Sequence, residues 1–325
     1  MKMLSERIQK LSERVRNTQS TFDLDRARLF TDFYSRPTME NYILRRAKAF
    51  KYYLENREIF IDDDEQLAGH QGSQVQSVVL YPETAKWLYD DFDTLETRPS
   101  EKLRFRSQED KDELWKIVNV WRGQTFGDMT DRLIDEDTKN IIKSGLMTHG
   151  ISNLSTMNHS PDYDNFVTRG YRYYIDECKK KLEEHKINEV YDMEQEIAWE
   201  SMIIVMEAII DFAHRYADLA EKEAAVCEDE KRKKELLVMA GNCRVVPENP
   251  PQTFLQATQL VWFHHLALTL EVAGGDHNLG RYDQYMLPFY EMESNAGVNE
   301  VLFVIIINER KLYVMEQRGI SVYTE

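Results

Sequence analysis

The fold of this chain is decided by residues 249–290, which read NPPQTFLQATQLVWFHHLALTLEVAGGDHNLGRYDQYMLPFY. The stretch consists of an apolar helix begun by prolines, a glycine-rich polar turn and a second, aromatic helix. Asn249 is a suitable N-cap, and Pro250 and Pro251 fit the first helical turn, where a missing N–H group costs nothing. Apolar residues surround most of the first helix, which predicts that it is buried in the core. Polar residues interrupt the run too often for a membrane span, which needs about 20 predominantly apolar residues.

Composition limits the class of protein. The chain has 325 residues and a formal net charge of −16, so it can bury a large core in one or two domains but suits neither nucleic acid nor an anionic membrane surface. Its three cysteines, Cys178, Cys227 and Cys243, are widely spaced and odd in number. They form neither a disulfide framework nor a zinc motif and suit a reducing compartment. The first eighteen residues have no apolar signal core. We therefore expect a soluble, cytoplasmic protein.

Helical periodicity dominates the rest of the chain. Helices are predicted at residues 4–15, from Ser20 or Thr21 to Pro37, and at 39–55, 83–92, 110–121, 162–185 and 193–227. The last of these is the longest and is apolar on every side over residues 202–213, which predicts a central core element. Short strands are predicted at residues 59–61 and 77–81.

Two polar turns have competing interpretations. Residues 62–64 are three adjacent aspartates, but the glycine and the closing glutamate of a calcium-binding loop are missing, which favours a solvated turn. Residues 69–72, Gly-His-Gln-Gly, are interpreted either as a ligand loop or as a tight turn. The tight turn is favoured, because glycine at such positions mainly relieves backbone strain.

Three groups of residues carry possible chemistry. His264, His265, Asp276 and His277 resemble a metal site by residue type, but adjacent histidines on a helix point about 100° apart and no H-E-x-x-H motif is present. His264 and His265 are better interpreted as hydrogen-bonded core histidines. Asp276 and His277 follow a Gly-Gly turn and are equally compatible with a site and with a plain turn.

The second and third groups are weaker as motifs. His159 is a possible acid, base or hydrogen-bond donor, whereas Ser160 and Pro161 are explained by helix capping alone. Arg281 and Asp283 are predicted to form a structural ion pair that orients the turn before them. The residues by themselves therefore predict a large helical protein with a polar turn and no metal motif.

At these residues the chain resembles the glycyl-radical enzymes, and within them the pyruvate formate-lyase-like lyases and dehydratases. The resemblance rests on NPPQTFLQATQLVWFHHLALTLE, on LGRYDQYMLPFYE, and upstream on SERIQKLSERVRNTQ, ARLFTDFY, ILRRAKAFKYYLENREIFI, the turn at 69–72, the segment at 159–163 and RKKELLVMAGNCRVVPENPPQTF. These segments occur in the family's order. They predict a pyruvate formate-lyase-like domain, in its amino-terminal part, over residues 1–292 and a divergent tail over 293–325.

The resemblance implies an α/β fold, namely the helix-dominated amino-terminal part of a ten-stranded barrel that is incomplete here. It also implies a glycyl radical, installed with S-adenosylmethionine by a separate activating enzyme and passed to a cysteine that takes hydrogen from a small substrate. A C–C, C–O, C–N or C–S bond then breaks. By resemblance, His159, Asp276 and His277 are expected to bind substrate, with Arg281 and Asp283 supporting the site structurally. No bound cofactor or metal is expected, and a homodimer is expected of the full-length family.

Some residues depart from the family pattern. Asn158 stands where many members have glycine, and Gly275-Asp276 stands where glycerol-dehydratase-like members have His-Ser. An aspartate there suits a substrate hydroxyl or ammonium group. No cysteine lies in a Gly-Cys-Val-Glu-like loop, and no glycyl-radical loop is found in the sequence. We therefore expect an amino-terminal fragment that is inactive alone. The competing hypotheses are a noncatalytic helical partner-binding protein and a metal-dependent hydrolase using His264, Asp276 and His277.

Overall fold

The computed structural model describes residues 6–97, 102–147, 161–187, 192–272, 277–295, 303–306, 311–316 and 319–324. Helices dominate these ranges. They are α1 (Glu6–Asn17), α2 (Asp25–Tyr34), α3 (Tyr42–Asn56), α4 (Trp87–Asp90), a 3-10 turn (Phe92–Thr94), α5 (Gln108–Trp121), α6 (Phe126–Leu133), α7 (Glu136–Lys143), α8 (Tyr163–Ile187), α9 (Met193–Val226), α10 (Glu230–Val245), α11 (Phe254–Glu271), α12 (Tyr282–Tyr285) and α13 (Leu287–Asn295). Within the same ranges, no helix is both long enough and apolar enough to cross a membrane.

The strands are few and short, as predicted. Strand β1 (Thr21–Asp23) pairs in parallel with β2 (Ser77–Val79). Strands β3 (Phe303–Ile306), β4 (Lys311–Glu316) and β5 (Gly319–Thr324) form an antiparallel sheet in that order. The expectation that a helix begins at Ser20 or Thr21 is wrong, because Thr21 opposes Ser77 in the parallel pair and α2 begins only at Asp25.

The centre of the core is α9, the longest helix. Asp192 caps its start by accepting hydrogen bonds from the backbone N–H groups of Glu194 and Gln195. Helices α3, α8 and α10 pack against it, and Ala213, Tyr216 and Ala217 are fully buried. The prediction that this helix is a central core element is therefore confirmed, although Met202, at the start of the apolar run, is 54% exposed.

Helix α8 is kinked at Gly170, which has a positive φ of 70°. The kink frees two backbone N–H groups, and these donate to the segment after α10: Tyr171 to the carbonyl of Pro247 and Arg172 to that of Glu248, both at 2.9 Å. A Cβ atom at residue 170 would lie 2.6 Å from the carbonyl carbon of Asn249. Glycine is therefore required here by both the backbone angle and the close approach.

The start of α11 differs from the prediction. Its N-cap is Thr253, whose side chain accepts from the backbone N–H of Gln256, and not Asn249. Asn249 instead donates its backbone N–H to the carbonyl of Val245 and so completes the end of α10.

Two arginines hold the carboxyl end of α11. Arg26 is fully buried and donates to the carbonyls of Leu270 (2.8 Å) and Glu271 (3.0 Å). The same guanidinium forms a two-pronged ion pair with Glu83 at 2.6 and 3.1 Å. Arg46 also donates to the Glu271 carbonyl, at 3.2 Å. Positive groups bound to the last carbonyls of a helix stabilise its end.

Residues 59–61 are described and form no strand, so that prediction is wrong. Ile59 and Ile61 pack singly against the core, while the Phe60 ring stacks on His70 at 3.9 Å. The turn at 69–72 is held from beneath by Arg57, which donates to the carbonyls of His70, Gln71 and Gly72. These bonds favour the tight-turn interpretation.

Two smaller predictions have simple outcomes. The turn at 62–64 is bound by Arg14, which pairs with Asp62 at 2.7 Å. The helix expected at 83–92 is confined to the single turn of α4.

Candidate functional site

A histidine–tyrosine cluster lies between α8 and α11, next to the polar turn. The Tyr163 hydroxyl shares a 2.9 Å hydrogen bond with Nδ1 of His265. The Tyr171 hydroxyl shares a 2.6 Å bond with Nδ1 of His264. The His277 ring meets His265 edge to face, with 5.9 Å between the ring centroids. All five side chains are buried.

The kink in α8 explains why both adjacent histidines find a tyrosine. His264 and His265 point about 100° apart around α11. Tyr163 lies before Gly170 and Tyr171 directly after it, so the two hydroxyl groups come from opposite sides of the kink. The interpretation of His264 and His265 as hydrogen-bonded core histidines is therefore confirmed.

The two hydrogen-bonded histidine–tyrosine pairs are electrically neutral near pH 7. Burial lowers the pKa of His264 and of His265 to about 4, because an imidazolium loses its hydration there. Burial also raises the pKa values of the Tyr163 and Tyr171 hydroxyls. Both tyrosines therefore remain phenols and both histidines remain imidazoles, joined by neutral hydrogen bonds.

The predicted substrate residues flank this cluster in sequence. His159 and Asp276 lie outside the described residues. Pro161 and His277 are the first described residues after them. His265 contacts both Tyr163, two residues after Pro161, and His277. His265 therefore contacts a residue that follows His159 closely, Tyr163, and the residue that follows Asp276, His277.

Arg281 and Asp283 approach each other at 3.5 Å between Nε and Oδ1, and both are exposed. Such a pair contributes little to stability. The buried residue between them, Tyr282, lies against Thr258 on α11 at 3.5 Å between hydroxyls, and Tyr285 donates its hydroxyl hydrogen to the Leu279 carbonyl at 2.9 Å. Tyrosine contacts, in addition to the predicted ion pair, therefore fix this segment.

The sequence interpretation missed Tyr163, Tyr171, Tyr282 and Tyr285. A usable signal was present: aromatic residues with a polar tip recur in two segments that flank a helix carrying adjacent buried histidines, and a buried hydroxyl needs a partner. The pairings of Tyr163 with His265 and of Tyr171 with His264 were hidden by separations of 102 and 93 residues along the chain.

The histidines do not form a metal centre with other described residues. Across the described ranges, no group of three or more His, Cys, Asp or Glu side chains is arranged to hold a metal ion. The described members of the hydrolase hypothesis, His264 and His277, therefore belong to no such group, and its third member, Asp276, lies outside the described residues.

The cysteines lie away from the cluster's hydrogen bonds. Cys178 and Cys243 are buried in the main core beside α9, and burial raises the pKa of each thiol. Cys227 follows α9 and lies 3.5 Å from the Asp229 carbonyl. Cys178 and Cys243 therefore lack the exposed surroundings of a reactive thiolate.

The helical frame and the cluster define one part of an enzyme barrel of the glycyl-radical class. Residues 2–304 match the family described as pyruvate formate lyase-like, and the chain belongs to that family. It is 31% identical over 276 residues to the probable dehydratase YbiW of Escherichia coli, covering 83% of this chain and 33% of that protein.

Solved structures agree. The glycerol-bound B12-independent glycerol dehydratase from Clostridium butyricum superposes with a TM-score of 0.83 at 32% identity, over 89% of this chain and 37% of that one. A glycyl radical enzyme from Archaeoglobus fulgidus gives 0.83 at 30% identity, over 91% and 38%. The chain thus spans little more than a third of these relatives.

These similarities confirm the resemblance and the expected fold, the helix-dominated part of a glycyl-radical-enzyme barrel. They favour an enzyme family over a noncatalytic binding protein. The domain boundary at residue 292 stays a prediction, and the family match extends beyond it to residue 304.

Proposed function

We propose that this chain carries substrate-contacting segments of a glycyl-radical lyase or dehydratase that cleaves a C–C, C–O, C–N or C–S bond of a small molecule. The observation that supports this most directly is the position of His265. It contacts Tyr163 and His277, and each of these follows closely a segment to which the resemblance gives a substrate role.

In this proposal His159 donates or accepts a hydrogen bond at the substrate, and Asp276 binds a hydroxyl or ammonium group. His277 is proposed to contribute to binding of the same substrate. The neutral hydrogen-bonded pairs of His264 and His265 with their tyrosines suit this proposal, because a buried imidazolium would compete with a substrate ammonium group for the Asp276 carboxylate. This proposal concerns the type of bond that is cleaved and does not specify the substrate.

The radical carriers are proposed to lie outside these 325 residues. The family's thiyl cysteine belongs to a Gly-Cys-Val-Glu-like loop, which the sequence lacks. The buried thiols of Cys178 and Cys243 suit packing rather than hydrogen abstraction. We therefore propose that the chain is inactive alone. The complete enzyme would be a homodimer activated by a radical S-adenosylmethionine enzyme.

Electron paramagnetic resonance tests this. The chain, incubated anaerobically with an activating enzyme and S-adenosylmethionine, is expected to give no glycyl doublet. A chimera in which residues 2–304 replace the matched part of the Clostridium butyricum glycerol dehydratase is expected to give one. The unaltered dehydratase with its activating enzyme is the positive control. A doublet from the isolated chain would contradict the proposed inactivity.

The same chimera tests the substrate residues. Asp276→Ala is expected to leave the doublet intact and to suppress consumption of any substrate that the parent chimera turns over, because it changes binding and not radical installation. His159→Ala is expected to behave alike. Unchanged turnover in both variants would remove the assigned roles while leaving the family reaction in place.

A further inference from the structure

Two buried tyrosines of α8 have an imidazole nitrogen as the partner of their hydroxyl group. The Tyr163 oxygen lies 2.9 Å from Nδ1 of His265, and the Tyr171 oxygen lies 2.6 Å from Nδ1 of His264. Among the described residues, neither hydroxyl has a second hydrogen-bond acceptor. Donation of the O–H hydrogen to Nδ1 is therefore the arrangement that leaves no buried hydroxyl hydrogen unpaired.

Neighbouring tyrosines with other hydroxyl partners provide an internal comparison. Tyr285 stacks on Tyr163 with 6.1 Å between the ring centroids, and its hydroxyl donates to the Leu279 carbonyl at 2.9 Å. The Tyr282 hydroxyl lies 3.5 Å from that of Thr258. A carbonyl or hydroxyl oxygen accepts a hydrogen bond but is too weak a base to take the proton itself. A neutral imidazole nitrogen is able to take it.

This difference decides how readily each phenol gives up an electron. A phenol that has lost an electron is a very strong acid, so oxidation is easier when a base is already in place to receive the proton. In the two histidine–tyrosine pairs the proton has only the length of one hydrogen bond to travel. Burial opposes a lasting charge on the imidazole, so the proton moves back to the oxygen as soon as the electron is restored.

We propose that the Tyr163–His265 and Tyr171–His264 pairs reversibly hold an oxidising equivalent. A one-electron oxidant takes an electron from the phenol, the O–H bond breaks, and the proton forms an N–H bond at Nδ1 of the imidazole. The products are a neutral phenoxyl radical, an imidazolium ion and the reduced oxidant. A thiyl radical, the oxidant that the proposed function supplies, becomes a thiolate. The reverse transfer, from thiolate to phenoxyl, restores both partners.

Aromatic contacts connect Tyr171 to the surface. Phe166 lies between Tyr171 and Tyr174, with centroid distances of 5.1 and 4.7 Å. Tyr173, which is 42% exposed, meets Tyr174 at 5.2 Å. Electrons pass rapidly between aromatic rings that are in contact, so an oxidant at the surface is able to reach the buried pair. The inference rests on the proposed function only for the identity of the natural oxidant.

The test uses the whole chain and one defined oxidant, photogenerated tris(bipyridine)ruthenium(III), followed by rapid freezing and high-field electron paramagnetic resonance. We expect a tyrosyl radical whose largest g value is lower than that of a tyrosyl radical without a hydrogen bond, because the imidazolium N–H donates to the phenoxyl oxygen. A spectrum of the unaltered chain without this low-g component would contradict the proposal.

Three double variants assign the signal. Tyr163→Phe with Tyr171→Phe keeps both rings and is expected to lose the low-g component. His264→Gln with His265→Gln keeps both tyrosines and a hydrogen-bonding partner for each, and is expected to lose the same component because an amide is not a base. Circular dichroism verifies that each variant is folded.

The matched control, Tyr282→Phe with Tyr285→Phe, removes two hydroxyl groups from the same region and is expected to keep the low-g component. Its loss in the control, or its persistence in either of the other variants, would overturn the assignment. The experiment needs neither an activating enzyme nor a glycyl radical. A failure of the radical chimera would therefore count against the proposed function alone, and a missing low-g component against the histidine–tyrosine pairs alone.

Discussion

Helices α11 and α6 both carry apolar residues on their surfaces, but α11 buries them and α6 exposes them. Leu260 on α11 is fully buried, whereas Leu133 on α6 is 86% exposed. The polar residues of α11 find partners inside the protein: Gln259 exchanges two 2.8 Å hydrogen bonds with the backbone of Ala68.

On α6, by contrast, Asp128 accepts a hydrogen bond from the Tyr89 hydroxyl and Asp131 pairs with Lys86 at 2.6 Å. These contacts leave the apolar side chains on the other side of the helix exposed. The apolar pattern of a helix thus shows which of its sides is suited to burial. Whether that side is buried depends on whether another element packs against it.

The largest expected effect concerns the kink that aligns α8 with α11. Gly170→Ala adds a Cβ atom 2.6 Å from the backbone of Asn249 at a positive φ. Backbone strain and overpacking together should lower the free energy of unfolding by about 4 kcal/mol. Urea denaturation measures this.

Gly145, just beyond the end of α7, is the matched control. Its φ is also positive, at 77°, but an added Cβ meets nothing within 4 Å. Gly145→Ala should therefore cost about 1 kcal/mol, from backbone strain alone. Equal losses in the two variants would show that the close packing at the kink contributes nothing.

The second prediction compares one residue type in both regions. Leu260→Ala leaves a cavity in α11 and should cost about 3 kcal/mol. Leu133→Ala on α6 should change the free energy of unfolding of the isolated chain by less than about 0.5 kcal/mol. Thermal melts of both variants measure the difference. A large loss in Leu133→Ala would mean that α6 is already covered within the chain.

The third prediction concerns pH and the buried histidines of α11. The pKa of His265 falls from 6.5 unfolded to about 4 folded, so the unfolded state binds more protons between these values. The stabilisation is complete above pH 6.5 and is lost as the pH falls towards 4. Between pH 7 and 5, His265 should account for a loss of about 2 kcal/mol.

His265→Gln should remove that share of the pH dependence while keeping a hydrogen-bonding partner for Tyr163. Denaturant titrations at both pH values measure the slopes. Identical slopes in the parent and in His265→Gln would contradict the neutral state of His265.

Local patterns in the sequence were sufficient for the long helices. The all-round apolar runs of α9 and α11 have one stable environment, the core, so their burial followed directly from the pattern. The predicted strand at 59–61 failed because β-branched residues also pack singly against helices, and the sequence names no partner strand. Thr253 rather than Asn249 caps α11, and the backbone N–H of Asn249 instead donates to the Val245 carbonyl at the end of α10.

The candidate site was less accessible to sequence reasoning. His277 was named from its place after a Gly-Gly turn, and the structure puts it against His265. Its substrate role, like those of His159 and Asp276, stays a prediction. The tyrosine partners of the histidines depend on how two helices cross, and crossing geometry is set by packing rather than by either helix alone.

The arginines at the end of α11 have a consequence for how such a protein can diversify. Arg26 and Arg46 bind the last carbonyls of the helix, so its terminus is secured by side chains that belong to earlier parts of the chain. The residues of the neighbouring glycine-rich segment are therefore not needed to hold the end of α11. Substitutions in that segment can therefore change which groups it binds at little cost to the stability of the fold.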